Sequence, residues 1–454
     1  MQGITSNDPR IKNQLFGHPT GLFVLFFTEM WERFSYYGMR AILTLYLVSK
    51  TTDANSGLGW SNTEALELYG WYTMFVYLMS IPGGYIADKF IGQKKSVLVG
   101  GILLVAGHGI LAYTEMWAFY TGLVLIVLGV GMLKPNISTM VGSLYKKGDI
   151  RRDKGFTIFY IGINLGSFLA SIIVGYVGEV IGWHYGFGLA GIGMALGLLV
   201  YYFGQPYLRE IGNFIGDAKS EKDKNLLNKP LTKIEKDRII VLLISFLLVI
   251  VFWGAYEQAG GLLNLYAKEK TNRMFMGLEV PASWFQSLSA LFIIFIGAGV
   301  ARFWAKRKLK GKNASSIFKM LIGLIIMGTG FLFMSAAALQ FEKEGSSAMY
   351  WLILAYFFNV VGELSLSPVA LSFITKLAPL KYASIMMGVY FAMTGIGNKL
   401  AGLLGESASQ YGEFMIFTGI AVFCILFGLL VMLFRKKLHD LTHGAEDDEY
   451  IIIE

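Results

Sequence analysis

The chain has 454 residues, 55% of them hydrophobic and only 15% charged, with a mean hydropathy of +0.54. That composition excludes a soluble globular domain and a disordered chain and places the protein among integral membrane proteins. The net charge of +8 would suit a nucleic acid, but Lys and Arg concentrate in alternate loops, which is a topology signal and leaves no nucleic-acid surface.

Residues 1–18 are polar and lack the apolar core of a cleavable signal peptide, so the first span is expected to drive insertion. Twelve apolar segments of about 20–29 residues follow, each long enough to cross about 30 Å of hydrocarbon as a helix. They cover 20–49, 66–88, 94–114, 117–143, 155–180, 183–204, 238–266, 283–305, 315–339, 348–375, 383–405 and 412–434. Basic residues mark one side: Lys89, Lys94 and Lys95, then Lys146, Lys147, Arg151, Arg152 and Lys154, then Arg302 through Lys312, then Arg435, Lys436 and Lys437. Loops on the other side are poor in them, with the stretch from Lys268 to Arg273 as the main exception, so both termini are expected in the cytoplasm.

The polar, Lys-rich stretch 205–237 divides the chain into an N-terminal six-helix bundle (1–204) and a C-terminal one (238–434), with a cytoplasmic tail at 435–454. Thr232-Lys-Ile-Glu235 reads as a capping box opening the seventh span. The tail carries the acidic run Glu446-Asp447-Asp448-Glu449. Pro82, Pro135 and Pro368 are expected to interrupt spans two, four and ten, which is tolerated at membrane depth where the break lines a cavity or packs on protein. The fold class is therefore an all-α membrane protein of 12 transmembrane helices in two six-helix bundles, and broken helices in two halves suggest a transporter with its site between them.

A single cysteine, Cys424, rules out an intramolecular disulfide, and the five histidines (His18, His108, His184, His439 and His443) show no metal-ligand spacing. No metal and no cofactor are expected. The chemistry lies instead in charges within the spans. Glu29, Glu32, Arg33 and Arg40 interrupt the first apolar segment, where a charge at the bilayer centre costs about 2.5–3.5 kcal/mol. At 3.6 residues per turn Glu29, Glu32, Arg33, Tyr36 and Arg40 fall within about 100° of one another, Tyr37 flanks them, and Trp31, Phe34 and Gly38 face away. Lys134, Glu257, Glu363 and Lys399 are the other ionisable residues deep in spans. A rise of ~1.5 Å per residue puts Arg40 and Glu257 ~30 Å and ~28 Å from the cytoplasmic starts of their helices. It puts Lys134 and Glu363 ~25 Å and ~22 Å from the outer starts of theirs. Two opposite-charge pairs, Arg40 with Glu257 and Lys134 with Glu363, are thus expected at two depths, each joining one half to the other as a gate. Lys399 has no partner identifiable from the sequence.

Six segments carry a resemblance. Glu29-x-x-Glu32-Arg33-Phe-x-Tyr36-Tyr37-Gly resembles the ExxERFxYYG signature of the proton-dependent oligopeptide transporter family of the major facilitator superfamily. Gly84-Tyr-Ile-Ala-Asp88-Lys-Phe-Ile-Gly92-Gln-Lys-Lys resembles the superfamily's loop motif. Lys134-Pro135-Asn136, Phe159-Tyr-Ile-Gly-Ile-Asn164, Trp253-Gly-Ala-Tyr-Glu257-Gln258 and Glu363-Leu-Ser-Leu-Ser367-Pro368 resemble the family's elements on helices four, five, seven and ten.

The resemblance implies a major facilitator fold and proton-coupled symport of di- and tripeptides, in the bacterial inner membrane, by a protein functional as a monomer. Its partners would be a peptide, protons and the lipid bilayer, with the proton gradient as energy source. It implies proton coupling by Glu29, Glu32, Arg33 and Glu257. Arg33, Lys134 and Asn164 would hold the peptide carboxylate and Glu363 its amino terminus. Tyr36, Tyr37, Arg40, Tyr77, Trp253, Glu257 and Ser367 would line the rest of the site, and Arg40–Glu257 and Lys134–Glu363 are the family's gating pairs. Two positions depart from the pattern: Ser289-Ala290 stands where the family commonly has Asn-Pro, and Tyr390 where a pocket Trp is usual. A same-family carrier of another small solute and a drug/proton antiporter remain alternatives. A membrane-embedded enzyme would need a nucleophile–base or metal constellation, and none is visible.

Overall fold

The structure is a computed structural model and describes residues 14–145, 149, 151–214, 230–379 and 382–446. The expectations placed on residues 1–13, on Lys146 and Lys147, on 215–229 of the linker and on Asp447, Asp448 and Glu449 lie outside the described residues.

Every apolar segment read from the sequence is helical. The helices are α1 (Thr20–Val48), α2 (Asn62–Leu78), α3 (Ser80–Ile86), α4 (Gln93–Leu111), α5 (Met116–Ser143), α6 (Arg151–Tyr176) and α7 (Trp183–Leu208). After the linker come α8 (Lys233–Tyr256), α9 (Leu262–Lys270), α10 (Ser287–Leu309), α11 (Ser316–Glu344), α12 (Met349–Leu377), α13 (Ala383–Tyr411), α14 (Glu413–Leu433) and the short α15 (Arg435–Asp440). Nine helical segments among the described residues are long and apolar enough to cross a membrane by length and composition. Helix α1 is not one of them because Glu29, Glu32, Arg33 and Arg40 load every stretch of it with charge, and α2 stops after 17 residues. Three pairs of two-residue strands close loops and add no sheet layer.

Helix α8 opens five residues before the apolar run because the capping box forms. The Thr232 side chain accepts from the Glu235 backbone N–H at 3.2 Å, and Glu235 Oε2 accepts from the Thr232 N–H at 2.8 Å.

The prolines behave differently from one another. The second span does break, between Leu78 and Ser80, just ahead of Pro82. Pro135 and Pro368, expected to interrupt their spans, instead lie inside the continuous helices α5 and α12. A proline removes only the hydrogen bond to the carbonyl four residues back, and neighbouring helices can compensate. Near Pro135 the Met132 carbonyl accepts from Asn136 Nδ2 at 2.7 Å and from Ser96 Oγ at 3.0 Å.

The described residues form two compact units, one of residues 14–43, 54–56 and 78–214, the other of 44–53, 57–77 and 230–446. Within the first, α3 lies directly on α5: a Cβ on Gly83 would stand 2.0 Å from the Gly131 carbonyl oxygen. Small residues allow this backbone approach, which substitutes for a hydrophobic driving force in lipid. The start of α4 is latched to the chain just after α7, with Lys94 Nζ donating to Arg209 O at 2.7 Å and Lys94 N to Gly212 O at 2.8 Å. Gly92 makes the turn at φ +80°. Within the second unit, α2 meets α13 through Gly70 and Gly402, where a Cβ on either would come within 3.0 Å of the other's Cα.

The exception to the charge asymmetry also has a structural basis. Lys268 Nζ bonds Ser49 Oγ at 2.7 Å, Lys270 pairs with Glu413 at 2.5 Å, and Arg273 pairs with Glu279 at 2.6 Å. Each basic group of that loop is thus engaged by a neighbour.

Gly83→Val should destabilise the protein by at least about 1–3 kcal/mol, the range for overpacking a tight core, because the opposing atom is backbone and cannot rotate away. Thermal unfolding of the purified protein checks this; an unchanged melting temperature would show that the α3–α5 approach is dispensable.

Candidate functional site

In the first unit the polar face read from helical spacing is buried. Glu29 is 2% exposed, Glu32 0%, Arg33 3%, Tyr36 3% and Arg40 7%. The opposite face packs: Trp31 and Phe34 fill the space beside Gly193 of α7, and Gly38 lies against Val174 of α6. With that face wedged, the charges cannot rotate toward lipid.

Arg33 Nε stands 2.9 Å from Glu29 Oε1 and 2.5 Å from Glu32 Oε2. Its guanidinium carbon is 5.8 Å and 5.9 Å from the ring centroids of Tyr36 and Tyr37, and that of Arg40 is 4.8 Å from the Tyr37 ring. One cation is therefore shared by two carboxylates and framed by π-faces, which stabilises charge in a dry setting. Lys134 of α5 lies within electrostatic reach of Glu32. Asn164 of α6 is buried too, but its amide nitrogen donates to the Tyr160 carbonyl of its own helix at 2.9 Å. This set totals three cations and two carboxylates.

In the second unit the site is built on a helix break. Helix α8 ends at Tyr256, a tight turn covers Glu257–Ala259, and the chain resumes as α9 after Gly260 and Gly261. Breaking a helix frees carbonyls, and each must find a donor in an apolar interior. Tyr356 Oη donates to Ala259 O at 3.3 Å and Thr44 Oγ1 to Gly260 O at 3.1 Å. Gln258 Nε2 donates to Gly254 O at 3.1 Å and to Ala401 O at 3.0 Å. The turn thereby fixes Glu257, 3% exposed, whose Oε2 accepts from Tyr69 Oη at 3.0 Å. A Cβ on Gly260 would collide with that same hydroxyl at 2.1 Å, so the glycine is required for Tyr69 to reach the carboxylate.

Glu363 of α12 is hydrogen-bonded by the Tyr256 side chain and lies within electrostatic reach of Glu257. Trp253 faces Tyr77 with ring centroids 6.5 Å apart and Tyr256 at 5.3 Å. Tyr390, where the resemblance would place a Trp, sits beside Trp253 and hydrogen-bonds Ser367. Two carboxylates in an aromatic setting thus oppose in sign the cation-rich set of the first unit.

The residues expected from the sequence are therefore gathered, six on α1 with Lys134 in one cluster, and Tyr77, Trp253, Glu257, Glu363 and Ser367 in the other. Two partners were not singled out from sequence. Tyr69 shares an i, i+4 stripe with Thr73 and Tyr77 on α2, which was a usable signal. Tyr256 directly precedes Glu257, and its side chain hydrogen-bonds Glu363 on a distant helix. Lys399 does have partners: Glu406 at 3.1 Å and the Trp71 ring at 4.8 Å. Ser289 is half-buried near the start of α10. Among the described residues no group of His, Cys, Asp and Glu is arranged to hold a metal.

A multi-span helical protein with buried, opposite-sign charge clusters is a membrane transporter in architecture. The model of the POT family matches residues 94–234 and 223–415. An uncharacterized transporter YclF of Bacillus subtilis is 38% identical over 95% of this chain and 96% of its own length. A di-/tripeptide transporter of Lactococcus lactis is 34% identical over 94% of this chain and 97% of its own. A crystal structure of a peptide transporter POT in complex with sulfate superposes with a TM-score of 0.88 at 34% identity, covering 94% of this chain and 97% of that one. The chain belongs to the POT family, and the fold expected from its motifs is that family's.

Tyr69→Phe should cost about 1.5–3 kcal/mol, the worth of a hydrogen bond to a charged group. Melting of the purified variant measures it, and wild-type stability would show that Glu257 does not depend on Tyr69.

Proposed function

We propose that this protein takes up di- and tripeptides together with protons by alternating access. The observation that carries the reading is Arg33 held between Glu29 and Glu32 in the interior of a spanning helix. The family's relatives support the substrate class, since one of them is named a di-/tripeptide transporter.

The chemistry of the substrate fits the two charge clusters. A peptide zwitterion carries a carboxylate and an ammonium at a nearly fixed separation. Arg33 and Lys134, with Asn164, bind the carboxylate; Glu363 binds the ammonium. Tyr36, Tyr37, Tyr77, Trp253 and Ser367 provide walls that accept varied side chains, because aromatic faces bind apolar and cationic groups alike.

Proton coupling follows from competition for Arg33. Guanidinium has five donors in a fixed fork. While Glu29 and Glu32 are both ionised they hold it. Protonating one carboxylate weakens that hold and turns Arg33 toward the substrate. Glu257 takes part as the second proton-linked carboxylate. Arg40 with Glu257 closes one side, and Lys134 with Glu363 the other; bound peptide replaces the attraction of the pair it breaks. The electrical gradient contributes about 2.3 kcal/mol per charge per 100 mV. The protein acts as a monomer in the inner membrane with both termini in the cytoplasm, and needs no cofactor beyond the proton gradient.

Labelled dipeptide should enter proteoliposomes under an inward proton gradient, and no uptake above empty vesicles across several di- and tripeptides would overturn the proposal. In the same vesicles Glu32→Gln should abolish gradient-driven accumulation while peptide exchange continues; loss of both would assign Glu32 a structural role. Double swaps, Arg40→Glu with Glu257→Arg and Lys134→Glu with Glu363→Lys, should transport better than their single variants. If neither swap does, the gating pairs fail.

A further inference from the structure

Outside the charged clusters, the second unit has an apolar groove of about 710 Å³ between α10, α11 and α12. Its walls are Phe295, Val300, Phe303 and Trp304 of α10, Ile322 of α11 and Val361 of α12. That volume is in the range of a specific small-ligand pocket. Helix α10 is unusually bare: 17% of its apolar stretch is buried in protein, against 39–61% for the other spanning helices.

Gly299 sharpens this. A glycine in a spanning helix ordinarily marks close helix packing, yet a Cβ on Gly299 would meet nothing within 4 Å. The missing side chain therefore deepens the groove and serves no helix contact. The rest of the groove floor is well held, with Trp304 7% exposed and its indole N–H donating to Ser365 Oγ at 3.2 Å.

One end of the groove is cationic. Arg307 lines it, with its guanidinium carbon 5.1 Å from the Phe318 ring and its Nε donating to Asn313 O at 2.8 Å. Beside it, reached through the Arg307–Asn313 contact, lies a second hollow lined by Lys308, Lys312, Lys319, Arg435 and Lys436 together with His439 and Glu446. Glu446 is engaged by the Ser316 backbone N–H at 2.7 Å. Among the described residues lining the hollow, five Lys and Arg stand against one carboxylate, an excess of positive charge. A basic pocket between spanning helices at the membrane boundary is suited to an anionic lipid headgroup.

We infer that this groove is a binding site for an anionic phospholipid, with one acyl chain lying along Gly299, Phe303 and Trp304 and the headgroup phosphate on Arg307 and the basic hollow beyond it. The occupant is fixed by the pairing of a lipid-facing apolar trough with a cationic mouth. A neutral lipid would leave the mouth without a counter-charge, and a soluble anion would leave the trough uncovered. The site is independent of the peptide reading.

Trp304 supplies the probe. The protein is reconstituted into phosphatidylcholine vesicles containing dilute phosphatidylglycerol or phosphatidylcholine with dibrominated acyl chains, which quench tryptophan on contact. The Trp304 signal is the difference between the native protein and Trp304→Phe. Dibromo-phosphatidylglycerol should quench that component more than dibromo-phosphatidylcholine at equal dilution. Gly299→Phe should remove the excess by filling the trough. Arg307→Gln should weaken it about fivefold, the worth of one basic side chain at the membrane surface. Equal quenching by the two lipids would overturn the proposal, as would an excess unchanged in Arg307→Gln. If Gly299→Phe does not reconstitute, Arg307→Gln alone decides.

Discussion

Arg33 between Glu29 and Glu32 is the contact from which the rest of the molecule can be understood. Taking an ion out of water costs several kcal/mol, and removing one partner of a buried pair costs about 3–5 kcal/mol because the other charge is stranded. The arrangement is therefore stable only as a set. It also dictates the surroundings. The opposite face of α1 must be tightly wedged so that the charges stay inward, which Gly193 and Gly38 achieve by admitting Phe34 and Val174. Tyr36 and Tyr37 must present rings to the cation. A charge set that is stable only when complete responds strongly to the loss of a single charge, and a single proton is such a loss.

The second cluster reaches a comparable result by other means. Within its own unit Glu257 is held by a broken helix and a tyrosine hydroxyl. Freed carbonyls at Ala259 and Gly260 are taken by Tyr356 and Thr44, so the break does not leave them without donors. Irregular backbone at membrane depth is tolerated only on that condition. The first cluster is thus a network of charges along one helix, and the second includes a backbone device that presents Glu257.

Much of this was legible in the sequence because it obeys local periodicity. Apolar runs of spanning length gave the helices, and 3.6-residue spacing put Glu29, Glu32, Arg33, Tyr36 and Arg40 on one face. The capping box at Thr232 was readable for the same reason. What escaped depends on contacts between distant residues. Tyr69 meets Glu257 across 188 positions. Lys399 finds Glu406 two turns away and Trp71 on another helix, both beyond the i, i+4 relation that sequence reveals. Pro135 and Pro368 read as breaks because proline forfeits a hydrogen bond, yet a single bond does not end a helix that is packed on its neighbours. The apolar run 238–266 read as one unbroken span, whereas Gly260 and Gly261 stand where one helix ends and another begins.

The ion-paired basic residues at the end of α9 and just after it bear on the order of assembly. Arg273 and Glu279 are six residues apart and can pair as soon as their loop emerges. Lys270 has to wait for Glu413, which opens the last spanning helix. On the orientation proposed above, Lys270 lacks that carboxylate until the helix is in place, on a side where the charge rule disfavours a lysine. The final helix therefore does more than complete a bundle. With that orientation it also retires a contrary topology signal, and a chain halted before Glu413 would retain that signal unopposed.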